Sequence, residues 1–358
     1  MKKSIAGIGL MSGTSLDGLD IAHCNFDFSG EKIGFVITEA TTLNYPDQWR
    51  KRLAEAMKIS GNELMQLHHD FGVYCGNAVL SFVKEKKMNV DYIASHGHTI
   101  FHQPQYGFTT QIGCGATIAA VTGINTVCDF RSMDVALGGQ GAPLVPIGDK
   151  LLFSEFESCL NIGGIANVSL EKNGKRIAFD ICAANIVMNY LAGITGASMD
   201  KNGDIAKSGE VDEPLLRELQ SNPYYQSWEK KSIGREWIDE QVLSIINTSS
   251  ASIPDKLRTF TEHVATQIKN ILEFYSIKKM LVSGGGAYNT FLMNRIKNSV
   301  HTEIIVPDKK TIEFKEALIF ALLGALRLKE INNTFSSVTG GKIDSCGGAV
   351  YIGAINQA

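Results

Sequence analysis

The chain has 358 residues, enough for two α/β lobes that each bury a core. Its formal charge is −3, its pI is near 6.3, and 44% of its residues are hydrophobic. This balance gives no reason to expect a nucleic-acid partner, and no apolar run is long enough to span a membrane. Seven Cys, an odd number, are scattered without a Cys-x-x-Cys pair, which reads as reduced thiols in a cytoplasmic protein. The short, Gly-interrupted apolar run after Met1-Lys2-Lys3 reads as a strand and not as a signal peptide.

That run, residues 5–11, leads into the turn Ser12-Gly13-Thr14-Ser15-Leu16-Asp17-Gly18, after which Leu19-Asp20 opens a second strand. A hairpin tip with hydroxyls, backbone N–H groups and two carboxylates can cradle phosphate oxygens and leave an Asp to hold hydrated Mg²⁺. A Gly-rich hairpin with no ligand is the plainer alternative. Gly7-x-Gly9-x-x-Ser12 falls short of the dinucleotide fingerprint because the third Gly and the following helix are missing. A third strand is expected over 32–43, helices over 47–58 and 62–87, and a short buried strand over 90–95.

The segment Ser95-His96-Gly97-His98-Thr99-Ile100-Phe101-His102-Gln103-Pro104 follows. If extended, it puts His96, His98 and His102 on one face. A metal site is one reading, and hydrogen-bonding His side chains are the plainer one. Arg131 and Asp134 form a buried ion pair or, alternatively, Arg131 offers a planar fork to a polar ligand. Gly138-Gly139-Gln140-Gly141-Ala142-Pro143 marks a loop, read as the crossing between lobes and a place where they hinge. The division expected is therefore 1–135 and 136–358, with the tail able to pack back on the first lobe.

The second lobe opens as the first does, with Asn161-Ile162-Gly163-Gly164-Ile165-Ala166-Asn167 as strand, Gly turn and strand. A duplicated fold with a central cleft follows from this repeat. Asp180 ends a strand just before a helix, a position that faces the crevice of an open sheet; a helix cap is the alternative. An unperturbed Asp is already ionised at neutral pH, so Asp180 needs no raised pKa to act as a base, and Arg131 is expected to help hold its pKa low. An amphipathic helix is expected over 254–276, then a strand and the Gly-rich turn Gly284-Gly285-Gly286 before Asn289. Residues 311–328 read as a buried helix, with Glu316 at its start as the exception, a carboxylate in need of a partner or ligand.

Met11 to Asp20 resembles the opening signature of the anhydro-N-acetylmuramic acid kinases, in the superfamily of acetate and sugar kinases, actin and heat-shock chaperone ATPases. Similar segments recur down the chain. His96-Gly97-His98-Thr99-x-x-His102-x-Pro104 resembles the family's His-Gly-Gln-Thr-x-x-His-x-Pro, with His98 in place of Gln. Asp129-Phe130-Arg131-x-x-Asp134 precedes a family-like Gly-Gly-Gln-Gly-Ala-Pro-Leu. Phe179-Asp180 and Asn185 match family positions, but Ile181-Cys182-Ala183-Ala184 replaces Thr-Gly-Pro-Gly. Segments 200–209, 231–236 and 337–358 are also family-like.

The resemblance implies a two-lobed, duplicated actin-like (ribonuclease H-like) α/β fold that binds ATP and Mg²⁺. It implies ATP contacts from Gly13, Thr14, Ser15, Leu16, Asp17, Gly18, Leu19 and Asp20, from Asn161, Gly163, Gly164 and Asn167, and from Gly284, Gly285, Gly286 and Asn289. It assigns the metal to Asp17 and Asp20, the sugar to His96, Thr99, His102, Arg131, Asp134 and Glu316, and the catalytic base to Asp180. The implied reaction opens the anhydro bridge of 1,6-anhydro-N-acetylmuramic acid with water and phosphorylates the sugar to N-acetylmuramic acid 6-phosphate, in cell-wall recycling. A relative acting on another sugar, or an impaired sugar or nucleotide sensor, is the alternative. The partners are an amino sugar and ATP, with no nucleic acid and no membrane, and with a homodimer left open. No P-loop sequence is present.

Overall fold

A computed structural model describes residues 3–226 and 232–353. The chain forms two compact units, Met1–Leu152 with Phe314–Ala358, and Phe153–Glu313.

In the first unit, β1 (Ser4–Ser12), β2 (Gly18–Asp27) and β3 (Gly34–Asn44) form an antiparallel meander. β4 (Tyr92–Gln103) runs parallel to β1 on its other side, and β5 (Phe108–Ile112) pairs antiparallel with the far end of β4. β6 (Thr126–Cys128) runs parallel to β4, and the strand Ala349–Tyr351 closes that edge. β4 is twice the length expected because the His-Gly-His segment continues the strand to pair with β5. The predicted helices are present as Asp47–Glu55 and Gly61–Lys86. The second begins with a capping box, in which the Ser60 side chain and Glu63 satisfy each other's backbone N–H groups.

The second unit repeats this plan. β7 (Ser158–Ile162), β8 (Ile165–Lys172) and β9 (Lys175–Ala183) form the meander, β10 (Lys279–Ser283) runs parallel to β7, and β11 (Glu303–Ile305) runs parallel to β10. Helix Ile253–Phe274 buries Leu257, Phe260, Val264, Ile268 and Ile271, the stripe expected of it, in this unit's core. Leaving out β5, which pairs only with β4, and the closing strand Ala349–Tyr351, the sheets run β3-β2-β1-β4-β6 and β9-β8-β7-β10-β11, the same order twice and the duplicated ribonuclease H-like arrangement.

The chain leaves the first unit after Leu152, not at 135, and returns at Phe314, where helix Lys309–Leu328 breaks its geometry (φ −114°, ψ 17°). The Gly138–Gly141 loop is accordingly fastened within the first unit and is not the crossing. Gln140 N–H donates to Thr339 O, Lys342 N–H to Leu137 O, and Gly141 N–H to the Asp134 carboxylate. Beyond Phe314 the returning helix is buried and lies directly on β1: a Cβ at Gly9 would sit 1.8 Å from Ala317 O. Close helix packing, and no dinucleotide, accounts for the glycine at that position.

Candidate active site

The first hairpin turns between Ser12 and Gly18, with Leu16 N–H donating to Gly13 O and Leu16 in the left-handed region (φ 61°). Leu16 turns its side chain toward the core, which leaves Thr14, Ser15 and Asp17 facing solvent. The Asp17 carboxylate takes no hydrogen bond among the described residues, whereas Asp20 is half-buried and accepts the Thr42 hydroxyl at 2.6 Å. Gly18 and Leu19 are accounted for by the sheet: a Cβ at Gly18 would lie 2.5 Å from Leu43 O, and Leu19 is a core side chain.

Beneath this turn lies a buried hydroxyl chain that sequence reading missed. Tyr45 Oη donates to Ser12 Oγ (2.7 Å), and Ser12 Oγ sits 2.8 Å from His98 Nδ1. Burial pushes His98 down to about 4, so the ring is neutral and its Nδ1 accepts the Ser12 proton. His96 turns to a different partner. Arg131 Nε and Nη2 reach its Nε2 at 3.1 and 2.9 Å, while Nδ1 meets Gly97 O at 2.9 Å. Burial, then the Arg131 charge, holds His96 well below its usual range. His102 is exposed and pairs with Thr109, and Thr99 accepts from Gln111. The single histidine face does not form, because Gly97 (φ 74°) and an irregularity between Thr99 and Phe101 interrupt the strand alternation. Among the described residues no group of three or more His, Cys, Asp or Glu could hold a metal ion.

Arg131 and Asp134 do not pair. Arg131 Nη1 donates to Gly141 O (2.6 Å), and Glu316 stands close enough that its charge supports the guanidinium against burial, which lowers Arg131 to about 10. Asp134 is buried, with one oxygen on the Thr339 hydroxyl (2.6 Å) and the other on Gly141 N–H (2.7 Å). It is the clamp that ties the tail to the Gly loop. Glu316 opens to solvent, yet the protein around it raises its carboxyl, with Arg131 opposing and Asp20 adding to the rise. Its neighbour Lys315 faces inward to a buried ion pair with Asp149 at 2.7 Å.

In the second unit the turn is Gly163-Gly164, and helix Asn185–Ile194 starts on it. Ala184 and Ile186 N–H groups donate to Gly164 O, and Asn185 donates to Gly163 O through its backbone and to Ile162 O through its side chain. The Gly284–Gly286 turn packs against the same hairpin. Gly284 has φ 85°, and a Cβ there would fall 2.5 Å from Asn161 Oδ1, so only glycine fits. Gly285 is exposed and clear, with Asn185 Nδ2 as the nearest atom to a Cβ there, 3.8 Å away. Asn289 Oδ1 caps helix Thr290–Ser299 by accepting Leu292 N–H.

Asp180 lies inside β9, three residues before its end, opposite Asn167. Ala184 holds the cap position of the next helix, which removes the capping alternative. The register irregularity beside Asn167 makes Ile181 an extra residue on β9. Ile181, Cys182, Ala183 and Ala184 are all buried, so the segment that departs from the family pattern is strand and core. Asp180 Oδ2 accepts Ile233 N–H at 2.8 Å and the Ser232 hydroxyl at 3.4 Å, and its backbone carbonyl accepts Tyr224 Oη. Oδ1 takes no bond among the described residues. Burial raises the Asp180 carboxyl above its ordinary value, opposed by Ile233 and Ser232, so the expectation of an unshifted or lowered base is corrected. Segment 231–236 thereby gains a role, with Lys231 outside the described residues.

Two sheets of one strand order, each opening on a Gly-rich hairpin, define a two-unit actin-like α/β protein. The sequence profile of the anhydro-N-acetylmuramic acid kinases matches residues 6–353, and the chain belongs to that family. The anhydro-N-acetylmuramic acid kinase of Sulfurovum sp. (strain NBC37-1) is 33% identical over 362 residues, covering 96% of this chain and 98% of its own. That of Gloeobacter violaceus (strain ATCC 29082 / PCC 7421) is 34% identical over 377 residues, covering 98% of each. Among solved structures, a ROK family glucokinase from Streptomyces griseus in complex with glucose and AMPPNP aligns over 89% of this chain and 98% of its own, at 10% identity and a TM-score of 0.41.

Proposed function

We propose that the chain phosphorylates 1,6-anhydro-N-acetylmuramic acid from ATP while water opens the anhydro bridge, giving N-acetylmuramic acid 6-phosphate and ADP. The observation that carries this reading is the Asp180 carboxylate, with one oxygen fixed by Ile233 N–H and the other without a partner among the described residues. In this reading Oδ1 takes the proton of a water that attacks the anomeric carbon. The bond from that carbon to the bridging oxygen breaks, and the freed oxygen on carbon six attacks the γ-phosphate. A base held partly out of water, with its pKa raised toward the working pH, is suited to this step.

Thr14, Ser15 and the backbone of Gly13 and Leu16 are assigned to phosphate oxygens, as are Gly163, Gly164 and Asn161. Gly285 leaves flat, uncovered backbone for the adenosine. The exposed Asp17 carboxylate, without a hydrogen bond among the described residues, fits a hydrated Mg²⁺, with Asp20 beside it held by Thr42. The ion's contribution there is to neutralise phosphate charge. Arg131, Glu316, Thr99 and His102 are assigned to the sugar. Asp134 contributes by fixing the loop that carries the Gly141 carbonyl. All seven Cys are free thiols, and no described helix is long and apolar enough to cross a membrane, which agrees with placing the reaction in the cytoplasm.

The test is ADP release with the anhydro sugar, with N-acetylmuramic acid and with glucose, read together with the product mass. Release only with the anhydro sugar, and a product heavier by one water and one phosphoryl group, is the expected outcome. Release with N-acetylmuramic acid but not with its anhydro form would overturn the coupled reaction.

A further inference from the structure

We infer that Tyr45 is a positioning residue for the Gly13–Asp17 turn, gripping both of its shoulders from below. Its hydroxyl donates to Ser12 Oγ, the last residue of β1, at 2.7 Å. Its backbone N–H donates to Asp17 O at 3.3 Å, one rung beyond the pairing of Gly18 with Asn44. One residue thus fixes where the turn begins and where it ends. Ser12 is held from its other side by His98 Nδ1 at 2.8 Å, so its hydroxyl has one direction for its proton and one for its lone pair.

Tyr45 is itself immobile. It is 1% exposed and packs against Phe71 and Tyr74 at ring separations of 6.1 and 5.9 Å, and Phe71 in turn meets the His98 ring edge-on at 6.3 Å. Burial raises its hydroxyl far above the usual range, so it stays protonated and donates. The turn above has only one internal backbone hydrogen bond, Leu16 N–H to Gly13 O, and three exposed polar side chains. Such a turn holds a fixed shape only if its supports are rigid. A ligand that binds by backbone N–H groups gains from that shape being set before it arrives.

The inference rests on reading this turn as the phosphate site. The test is calorimetric binding of Mg-ADP to the full chain, with steady-state KM for ATP and for the anhydro sugar. Tyr45→Phe removes the hydroxyl and keeps the ring. Tyr74→Phe, which removes a hydroxyl from the same cluster away from Ser12, is the control, and thermal melts fix a temperature at which all variants are folded. Tyr45→Phe is expected to weaken Mg-ADP and raise the KM for ATP by about fivefold to tenfold, the size of one neutral hydrogen bond. Sugar KM and the Tyr74→Phe variant stay at wild-type values. Ser12→Ala gives a similar loss, and the double variant is no worse than Ser12→Ala alone. Wild-type binding by Tyr45→Phe, equal rises in both KM values, or additive losses would overturn the inference. Absence of Mg-ADP binding by the wild-type chain would instead overturn the phosphate-site reading beneath it. If Tyr45→Phe does not fold, Ser12→Ala decides: wild-type binding there overturns the inference.

Discussion

Two N–H groups of Arg131 converge on one lone pair, the Nε2 of His96, at 3.1 and 2.9 Å. A guanidinium only donates, so this nitrogen carries no proton and the ring is neutral, with its proton on Nδ1 facing Gly97 O. The pair is a fixed mount for Arg131 and not a proton store. Replacing His96 by Leu keeps bulk but removes the acceptor, leaving a buried cation short of a partner. We expect the sugar KM to rise about tenfold or more, because a hydrogen bond to a charged group contributes roughly 1.5–3 kcal/mol. His96→Gln restores an acceptor and should recover part of the loss. Equal KM values for the Leu and Gln variants would count against the mounting role.

Asp17 and Asp20 are expected to differ. The Asp17 carboxylate has no hydrogen bond among the described residues to lose, so Asp17→Ala removes only that carboxylate from the turn. The half-buried Asp20 accepts from the exposed Thr42 hydroxyl, and Asp20→Ala removes that hydrogen bond. Asp17→Ala should raise the Mg²⁺ concentration needed for half-maximal rate with little change in Tm. Asp20→Ala should lower Tm as well, by an amount consistent with one lost hydrogen bond of about 1 kcal/mol. Titrating Mg²⁺ at saturating ATP, alongside melts, separates them. A wild-type Mg²⁺ requirement in both variants would remove the metal from this turn.

Much of this could be read from the chain. Apolar runs broken by Gly turns mark both meanders, and the repeated hairpin points to duplication. What could not be read were pairings between distant residues. Asp134 finds Thr339 across 205 positions, and Asp180 finds Ile233 across 53. A Gly-rich loop looks mobile in sequence, yet the 138–141 loop is pinned by groups that arrive from the tail. The unit boundary escaped for the same reason, since helix Val145–Leu152 packs through Gly148 on Ile319, a contact no local pattern announces. The altered segment after Asp180 looked like a changed loop because only pairing with β8 reveals it as buried strand.

Buried neutral histidines make stability depend on acid. His98 is held at about 4 and His263 at about 3, both by burial, against 6.5 for the free side chain. Below about 6.5 the unfolded chain binds protons that the folded chain refuses, so stability falls as pH drops toward 4 and is flat above 6.5 for these groups. Each such histidine contributes a slope near 1.4 kcal/mol per pH unit within its window. His263 has neither ring nitrogen bonded among the described residues and packs against Tyr225 and Phe260. His263→Phe should therefore keep Tm near neutral pH and flatten its decline between pH 6 and 4.5. An unchanged decline would show that other groups set the acid limb.

Asp180 carries the last expectation. Its carboxyl is raised by burial, so the folded state favours the protonated acid. Any stability this group contributes is present at low pH and is lost as pH rises through its folded pKa. At neutral pH the ionised form is a cost to folding, one that the proposed base role would require. Asp180→Asn keeps an oxygen for Ile233 N–H and Ser232, removes the charge, and removes the proposed base. Tm at pH 7 should stay level or rise, while kcat falls by about 10²–10⁴, the usual value of a general base. The affinity for Mg-ATP should hardly move. In the wild-type enzyme the acid limb of kcat/KM should titrate above the 3.8 of an ordinary Asp, in the direction burial dictates. Ring opening and phosphorylation should fall together, because one water attack drives both. A variant that phosphorylates sugar with the anhydro bridge intact would separate the two steps, and one with wild-type kcat would take Asp180 out of the reaction.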